Sequence, residues 1–455
     1  MSAYGNVLDM IGNTPMVEFR NLDAGPCRLF AKLEAYNPGG SIKDRIALSM
    51  IEGAEREGRI GPGGTLVEAT SGNTGVGLAL VAARKGYRVI IVIPDKMSRE
   101  KIAHLRAFGA QVLVTRSDVE PGHPEHYQTQ AARIAAERDN AFYVNQHNNP
   151  HNPRAHEEGT APEIWEQMGH DLDAVVCGVG TGGTLTGLGR FLQRVAPEVE
   201  IVLADPEGSI LVEYIETGRL AEAGAWLIEG IGEDVLPPIG DLSLLSRGFT
   251  ISDAESLHTA REVFRKEGIM GGSSTGTLVA AALKYCRQQD RPKRVVTFVP
   301  DSGDKYLSKM YNDYWMVDQG FVERETFGDL RDLIARRHEE RSDFTVTARD
   351  SLLTAYGRMK LHDVSQLAVV EGDRVVGLID ESDILLAVSG AEENFSQAVA
   401  EAMSTRLETV SSSTALRDLL PVFENDYVPL IVDGDQYHGL VTRIDFLNFL
   451  RRKMR

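Results

Sequence analysis

The sequence predicts an α/β protein: a mainly parallel sheet covered on both faces by helices, followed by a C-terminal pair of small α+β repeats. Two observations carry this. From Asn6 to about Pro300, short runs that are apolar throughout alternate with helical runs, the pattern of parallel strands buried on both faces. From about Val317 that alternation stops, and two related stretches of about 60 residues follow.

In order along the chain, Leu33 ends a strand, Asn37-Pro38-Gly39-Gly40 turns, and a helix capped by Ser41 begins. Ile42, Ile46 and Met50 recur on one face of that helix. Thr65–Thr70 reads as a short strand, Gly75–Lys85 as a helix closed by Gly86, and Arg88–Ile93 as a nearly all-apolar strand. Helix Arg99–Phe108, stopped by Gly109, leads to strand Gln111–Val114, and helix Glu125–Arg138 leads to strand Phe142–Val144. Helix Ala161–Met168, strand Ala174–Cys177, helix Thr186–Val195 and strand Ile201–Ala204 continue the series, and Arg294–Phe298 is a further strand. In such folds ligands sit beyond the carboxyl ends of the strands, so the loops that open the helices are where chemistry is expected.

Residues 317–343 are charged with few large apolar positions, which suits a linker with some helix. Beyond them Val369-Val-Glu-Gly-Asp-Arg-Val-Val-Gly-Leu-Ile379 matches Ile431-Val-Asp-Gly-Asp-Gln-Tyr-His-Gly-Leu-Val441 at an offset of 62 residues. Thr345-Val346 and Thr409-Val410 correspond at an offset of 64. Each copy reads strand, helix, strand, turn, strand, helix, and is small enough that the two should pack as one module. The expected organisation is residues 1–316 as a catalytic domain, 317–340 as a linker, 341–391 as the first repeat and 396–455 as the second.

A net charge of −18 argues against nonspecific binding to nucleic acid or to anionic membranes. Cys27, Cys177 and Cys286 are scattered, odd in number and without a C-x-x-C pair, which points to a reducing compartment. No secretory pattern opens the chain, and no run approaches the ~18 apolar residues of a membrane span. A cytoplasmic protein is the expectation.

Lys43 falls in the first turn of its helix, where unpaired N–H groups and the macrodipole disfavour a cation. Its amine should therefore lose a proton readily, as imine formation with an aldehyde requires; a lysine snorkelling from an ordinary helix start has the same sequence. Thr70-Ser-Gly-Asn-Thr-Gly75 joins a strand to a helix and offers N–H groups to an anion, with Asn73 as a side-chain donor; a plain capped turn also fits. Gly180-Thr-Gly-Gly-Thr184 has the same placement and makes a good phosphate cradle. Together with Gly178 it matches G-x-G-x-x-G, with Asp205 some 22 residues beyond Gly183, but the dinucleotide fingerprint normally opens its βαβ domain and here several units precede it.

Gly272-Ser-Ser-Thr-Gly276 resembles a hydrolase elbow, yet the later histidines, His338, His362 and His438, lie in the linker and the repeats. His147, His151 and His156 could suggest a metal, but Pro150 and Pro153 should interrupt a helix that aligned them, so a polar loop is expected. Val299-Pro-Asp-Ser-Gly-Asp304 leaves its strand with Asp301 and Ser302, either of which could meet a buried ring nitrogen.

Together Asn37-Pro-Gly-Gly-Ser-Ile-Lys-Asp-Arg45, Thr70–Gly75, Gly180–Thr184 and Pro300-Asp-Ser-Gly303 resemble, in order and spacing, the fold-type II pyridoxal-phosphate enzymes, over residues ~5–315. The cystathionine-forming and cysteine-forming members are nearest. The resemblance implies a tryptophan synthase β-like fold with two mainly parallel sheets, and pyridoxal 5′-phosphate held by Lys43 as an imine. It further implies that Asn73 meets the ring hydroxyl, that Gly180, Thr181, Gly182, Gly183 and Thr184 hold the phosphate, and that Ser302 meets the pyridine nitrogen. Thr70, Ser71, Gly72, Thr74 and Gln146 match the positions that receive the substrate α-carboxylate.

The repeats look like a pair of CBS modules. The second retains the ribose-contacting pattern with Thr442 and Asp445, whereas the first has Asp380 in place of threonine beside Asp383, so one adenosyl-ligand site is expected. S-adenosylmethionine is the first candidate, with AMP and ATP behind it. Cysteine-forming members end where the linker begins here, and Glu229-Gly-Ile-Gly-Glu-Asp234 also favours the cystathionine-forming branch.

The chain starts almost at Gly12-Asn-Thr-Pro15, without the haem segment of the animal enzymes, so no haem is expected. His147 and Glu233 stand where many relatives have tyrosine, which leaves the acceptor thiol open. The expected reaction is replacement of the serine hydroxyl by homocysteine in a homo-oligomer, dimer or tetramer. Addition of sulfide to O-acetylserine is a rival, and an adenosyl-nucleotide sensor with an idle front domain is a rival of another class.

Overall fold

The computed structural model describes residues 3–70, 72–95, 99–120 and 122–453, and the chain divides into two units, Met1–Tyr311 and Asn312–Arg455. The first unit runs β1 (Met16–Phe19), β2 (Arg28–Leu33), α1 (Lys43–Arg56), β3 (Thr65–Ala69), α2 (Asn73–Lys85), β4 (Arg88–Pro94), α3 (Arg99–Ala107), β5 (Gln111–Thr115), α4 (Tyr127–Ala136) and β6 (Ala141–Tyr143). It continues with α5 (His151–Ala155), α6 (Ala161–Gln167), β7 (Ala174–Cys177), α7 (Gly183–Val195), β8 (Glu200–Pro206), α8 (Leu211–Thr217), β9 (Arg247–Ile251), α9 (Asp253–Glu267), α10 (Ser273–Arg287) and β10 (Arg294–Val299).

The expected strands and helices are present, with ends that differ by one to three residues. The larger differences are at helix starts. Helices α2 and α7 begin at Asn73 and Gly183, inside the glycine loops, because glycine and small hydroxyl residues accept the first helical turn as readily as they accept a turn.

The strands form two sheets. One has the order β5-β4-β3-β6 and is parallel throughout; the other has the order β1-β2-β10-β7-β8-β9, with β1 alone antiparallel. Strands β3 and β7 are buried at every position, as the apolar runs require. Helix α1 lays Ile46, Ala47, Met50 and Ile51 against Val76, Leu78 and Leu80 of α2. Its first turn is held by Arg45, which donates through Nε to Glu34 (2.7 Å) and through Nη1 and Nη2 to Glu163 (2.7 and 2.6 Å). Burial opposes the charge on Glu163, but Arg45 outweighs it and holds the carboxyl at about 2. The Arg45–Glu163 pair, ionised at neutral pH, ties the start of α1 to α6.

Residues 151–167 are helical, not a loop. Pro150 lies just before α5 and Pro153 in its first turn, where no intrahelical N–H is needed. A π-turn, His156–Thr160, then leads into α6. Cys27, Cys177 and Cys286 are free.

The second unit contains α11 (Asp313–Asp318), then β11 (Thr345–Val346), α12 (Leu352–His362), β12 (Gln366–Glu371), β13 (Arg374–Asp380) and α13 (Glu381–Val388). The second copy comprises β14 (Thr409–Val410), α14 (Leu420–Glu424), β15 (Leu430–Asp433), β16 (Gln436–Leu440) and α15 (Arg443–Lys453). Each copy has a three-stranded sheet, ordered β11-β12-β13 and β14-β15-β16, and each hairpin carries its register shift at the equivalent place, Val369/Val370 and Ile431/Val432. The two pack through Ala368, Val370 and Val375 against Leu430 and Tyr437. Leu330, Leu333 and Ile334, from the charged stretch, are buried with Leu419, Phe423 and Ile431 of the second copy. Among the described residues no helix is long and apolar enough to cross a membrane.

Candidate active site

Lys43 is the first residue of α1 and is half-buried. The N-cap of α1 is Ile42, which makes no side-chain cap, rather than Ser41 as expected; Ser41 Oγ, one residue earlier, accepts from Lys43 N at 3.2 Å. The turn before Lys43 is stitched to the exit of β10. Ile42 N donates to Pro300 O (2.8 Å), Ser302 N donates to Gly40 O (3.1 Å), and Ser41 bridges Asp301. Burial lowers the Lys43 pKa; Asp301 and Glu34 oppose that, and Lys101 adds to it. The amine is thus shifted toward the neutral form that a nucleophile or base needs.

Asn73, the first residue of α2, meets the same strand exit. Its Nδ2 donates to Asp301 Oδ2 at 2.8 Å, and its Oδ1 accepts from Lys305 Nζ at 3.1 Å. Asp301 is 1% exposed; Oδ2 also accepts from Tyr306 OH at 2.8 Å, while Oδ1 is buried with no partner among the described groups. Of the two candidates for a ring nitrogen, Asp301 is therefore engaged with protein. Ser302, half-buried, carries the adjacent hydroxyl.

The positions expected to receive a substrate carboxylate follow. Thr74 Oγ1 donates to Gln146 Oε1 at 2.6 Å, and Gly72 N donates to Thr70 Oγ1 at 3.3 Å. Gly72 sits at φ 137° with Lys101 Cδ 2.6 Å from where a Cβ would be, so both conformation and space require glycine. Ser71 lies outside the described residues. The contacts continue to the second glycine loop through Asn152, whose Nδ2 donates to Gln146 O and to Thr181 Oγ1, both at 2.9 Å.

Gly180–Thr184 opens the 13-residue helix α7. Gly182 has φ 84°, and a Cβ there would lie 2.3 Å from Gly240 Cα. Thr184 Oγ1 is 3.3 Å from His156 Nε2, whose partner nitrogen is 2.9 Å from Thr160 Oγ1. Burial keeps His156 well below its ordinary pKa, so it faces the loop uncharged. His151 instead pairs with Glu57 at 2.7 Å, and no cluster of three or more metal ligands occurs among the described residues.

These residues fit a phosphate-bearing aldehyde cofactor. A helix start with glycines that admit no side chain suits the phosphate, the Asn73 amide suits a ring oxygen, the Ser302 hydroxyl suits a ring nitrogen, and Lys43 supplies a proton-poor amine.

Several participants have no sequence signal. Lys305, in a short 3-10 turn (Gly303–Tyr306) outside any periodic pattern, is 2% exposed and donates to Gly39 O (3.1 Å) and Gly40 O (3.0 Å) as well as to Asn73. Lys101 of α3 donates to Glu229 Oε2, and Lys309 donates to Glu229 Oε1 at 2.7 Å. Burial opposes charge on Glu229, yet the two ammonium groups keep its pKa low. Glu68 and Glu233 are both raised to about 8, chiefly by burial. His147 is lowered by burial and by Lys43.

In the second unit, Thr442 and Asp445 form a reciprocal cap at the start of α15. Thr442 N donates to Asp445 Oδ2 at 2.8 Å, and Asp445 N donates to Thr442 Oγ1 at 3.3 Å. In the first repeat Asp380 and Asp383 make the same cap, at 3.0 and 2.9 Å, with a carboxylate in place of the hydroxyl.

Comparison with known proteins extends this. Residues 7–301 match the family model described as pyridoxal-phosphate dependent enzyme, and residues 331–390 and 399–452 each match the CBS domain. The chain is similar to the cystathionine beta-synthase of Apis mellifera, 35% identical over 98% of this chain and 91% of that protein. It is also similar to the cystathionine beta-synthase of Mus musculus, 38% identical over 98% and 85%. Among solved structures, a hydrogen sulfide-producing enzyme from Fusobacterium nucleatum matches with a TM-score of 0.63 and 37% identity, covering 67% of this chain and 100% of that one. O-ureido-L-serine synthase matches at 0.63 and 33%, covering 70% and 100%.

Proposed function

The chain belongs to the cystathionine β-synthase family of pyridoxal-phosphate-dependent enzymes, and on that premise we propose that it replaces the β-hydroxyl of L-serine with the thiolate of L-homocysteine, giving L-cystathionine and water. The observation that carries this reading is the convergence of the turn that leads into Lys43, the Asn73 amide and Ser302 on one strand exit, joined through Gln146 and Asn152 to the Gly180–Thr184 loop.

Gly180, Thr181, Gly182, Gly183 and Thr184 would hold the cofactor phosphate, Asn73 its ring hydroxyl and Ser302 its ring nitrogen, with Lys43 as its attachment. When bound, the cofactor supplies an aldehyde for imine formation and a sink for the Cα electron pair. Thr70, Ser71, Gly72, Thr74 and Gln146 receive the serine carboxylate. Lys43 Nζ, released by the incoming amine, takes the Cα proton and delivers it to the departing hydroxyl. A serine hydroxyl at the ring nitrogen, in place of a carboxylate, leaves the sink weak, which favours elimination over racemisation.

Serine and homocysteine supplied to the loaded enzyme should give cystathionine by mass spectrometry, and Lys43→Ala should abolish both the product and the visible cofactor absorbance. Full activity of Lys43→Ala would overturn the assignment. One comparison favours a second reading with sulfide: the chain is similar at 37% identity to a hydrogen sulfide-producing enzyme, and release of sulfide is the reverse of its addition. Competition between sulfide and homocysteine, with serine and O-acetylserine as donors, decides the order.

The CBS pair supplies regulation. An adenosyl ligand, S-adenosylmethionine before AMP or ATP, would sit at Thr442 and Asp445 of the second repeat, and the cytoplasm, where three free cysteines persist, is the setting.

A further inference from the structure

Lys305 is a buried cation for which the reading above has no task. Its three donors meet three acceptors, Gly39 O, Gly40 O and Asn73 Oδ1, at 3.0 to 3.1 Å. Burial lowers its pKa, while the carboxyls of Asp301 and Asp44 favour the charged form. Gly40 O accepts both from this ammonium and from Ser302 N, so one side chain reaches the turn before Lys43, the strand exit and Asn73 together.

A carboxamide has two ends, and the surroundings of Asn73 tell them apart. Its oxygen faces the ammonium of Lys305, and its nitrogen faces the carboxylate of Asp301 at 2.8 Å. Turning the amide over would set N–H against ammonium and oxygen against carboxylate, exchanging two charge-assisted hydrogen bonds for two repulsive contacts. The amide therefore has one orientation. One of its N–H groups is spent on Asp301, and the other is available to a ligand; its oxygen is not.

We propose that Lys305 is a positioning residue that fixes the Asn73 amide so that it presents only an N–H to the cofactor ring, and that it ties this donor to the Gly39–Gly40 turn carrying Lys43. This rests on the reading that pyridoxal phosphate occupies the site with its ring hydroxyl at Asn73. With its oxygen held by Lys305, the amide can meet the ring oxygen only as a donor, which fixes the ring's place.

The test is a cofactor titration of the apoprotein, followed by fluorescence and visible absorbance, on wild type, Lys305→Met, Asn73→Ala and the double variant. Lys305→Met should bind pyridoxal phosphate about 10-fold more weakly and shift the visible band. Asn73→Ala should weaken binding comparably, and the double variant should bind no worse than the weaker single one, because both remove the same N–H contact. Binding by Lys305→Met within twofold of wild type with an unchanged band, or a double-variant loss equal to the product of the two single losses, would overturn the proposal. If wild type itself binds no pyridoxal phosphate, the parent reading fails instead, and the titration shows that first. Apoprotein melting reports folding. If Lys305→Met does not fold, Lys305→Gln, which keeps an amide donor of shorter reach, carries the same double-variant test.

Discussion

Asp44, the neighbour of Lys43 in the chain, should make the protein lose stability as the pH rises, and Asp44→Asn should remove that loss. Its carboxyl is 0% exposed; Oδ2 accepts from Gly39 N at 2.5 Å, and Oδ1 is buried without a partner among the described residues. Burial is the dominant influence and raises its pKa to about 7, against the Gly39 N–H and the charges of Lys305 and Arg45. Below the unfolded value of 3.8, both states hold the proton and the native state has its full contribution. As the pH rises, the unfolded chain ionises while the native carboxyl does not, so stability falls until the native group titrates near 7. The gap from 3.8 to about 7, at about 1.36 kcal/mol per pH unit, amounts to about 4 kcal/mol, of which about 3 falls above pH 5.

An asparagine has the same shape and accepts the same Gly39 N–H, but does not titrate. Any cost of placing its amino group where Oδ1 lies is the same at every pH and cancels from the slope. Thermal unfolding followed by circular dichroism from pH 5 to 8, at one ionic strength and scan rate, gives the comparison. At about 2 °C per kcal/mol for a domain of this size, Asp44→Asn should gain about 6 °C on wild type between the two ends of that range. Melting curves that stay parallel to within about 1 °C would refute a protonated Asp44.

Two further outcomes follow from the ion pairs and the repeats. Lys101→Met leaves the buried Glu229 carboxylate with Lys309 alone, so it should cost about 3 kcal/mol of stability. It should also raise the serine KM more than it lowers kcat, because the pair joins α3 to the loop before β9 beside Gly72; steady-state kinetics with melting temperature checks both. Asp445→Ala removes one half of the Thr442 cap and should weaken S-adenosylmethionine binding by calorimetry at least 10-fold, about 1.4 kcal/mol, whereas Asp383→Ala in the first repeat should leave it unchanged.

What the sequence showed and what it hid follow one physical division. The strands announce themselves because burial on both faces demands unbroken apolar runs, as in Val89–Ile93, and the glycine loops announce themselves because close approach excludes a Cβ at Gly72 and Gly182. Long-range polar partners leave no such trace. Lys305 reaches Gly39 across 266 residues, and Lys101 reaches Glu229 across 128; no local period encodes either pairing. Pro150 and Pro153 misled for the opposite reason, since proline breaks a helix only beyond its first turn and both stand at the start of α5. In the charged stretch, Leu330, Leu333 and Ile334 are too few to stand out, yet they fill the core of the second repeat.

The same buried groups explain how an acidic chain can serve an anionic cofactor. The protein carries a net charge of −18, and Glu68, Glu233 and Asp44 belong to the segments around the loops proposed to take a phosphate and an α-carboxylate. Were all three ionised, they would oppose both ligands at short range. Burial instead raises their pKa values to about 8, 8 and 7, so Glu68 and Glu233 remain largely protonated at neutral pH and Asp44 is divided between its two forms. The lysines follow the same rule: burial lowers the pKa of both Lys43 and Lys305, and carboxyls oppose it in each case, Asp301 and Glu34 at Lys43 and Asp301 and Asp44 at Lys305. What sets Lys305 apart among the described residues is its three hydrogen-bond acceptors, Gly39 O, Gly40 O and Asn73 Oδ1, which hold its head in one place.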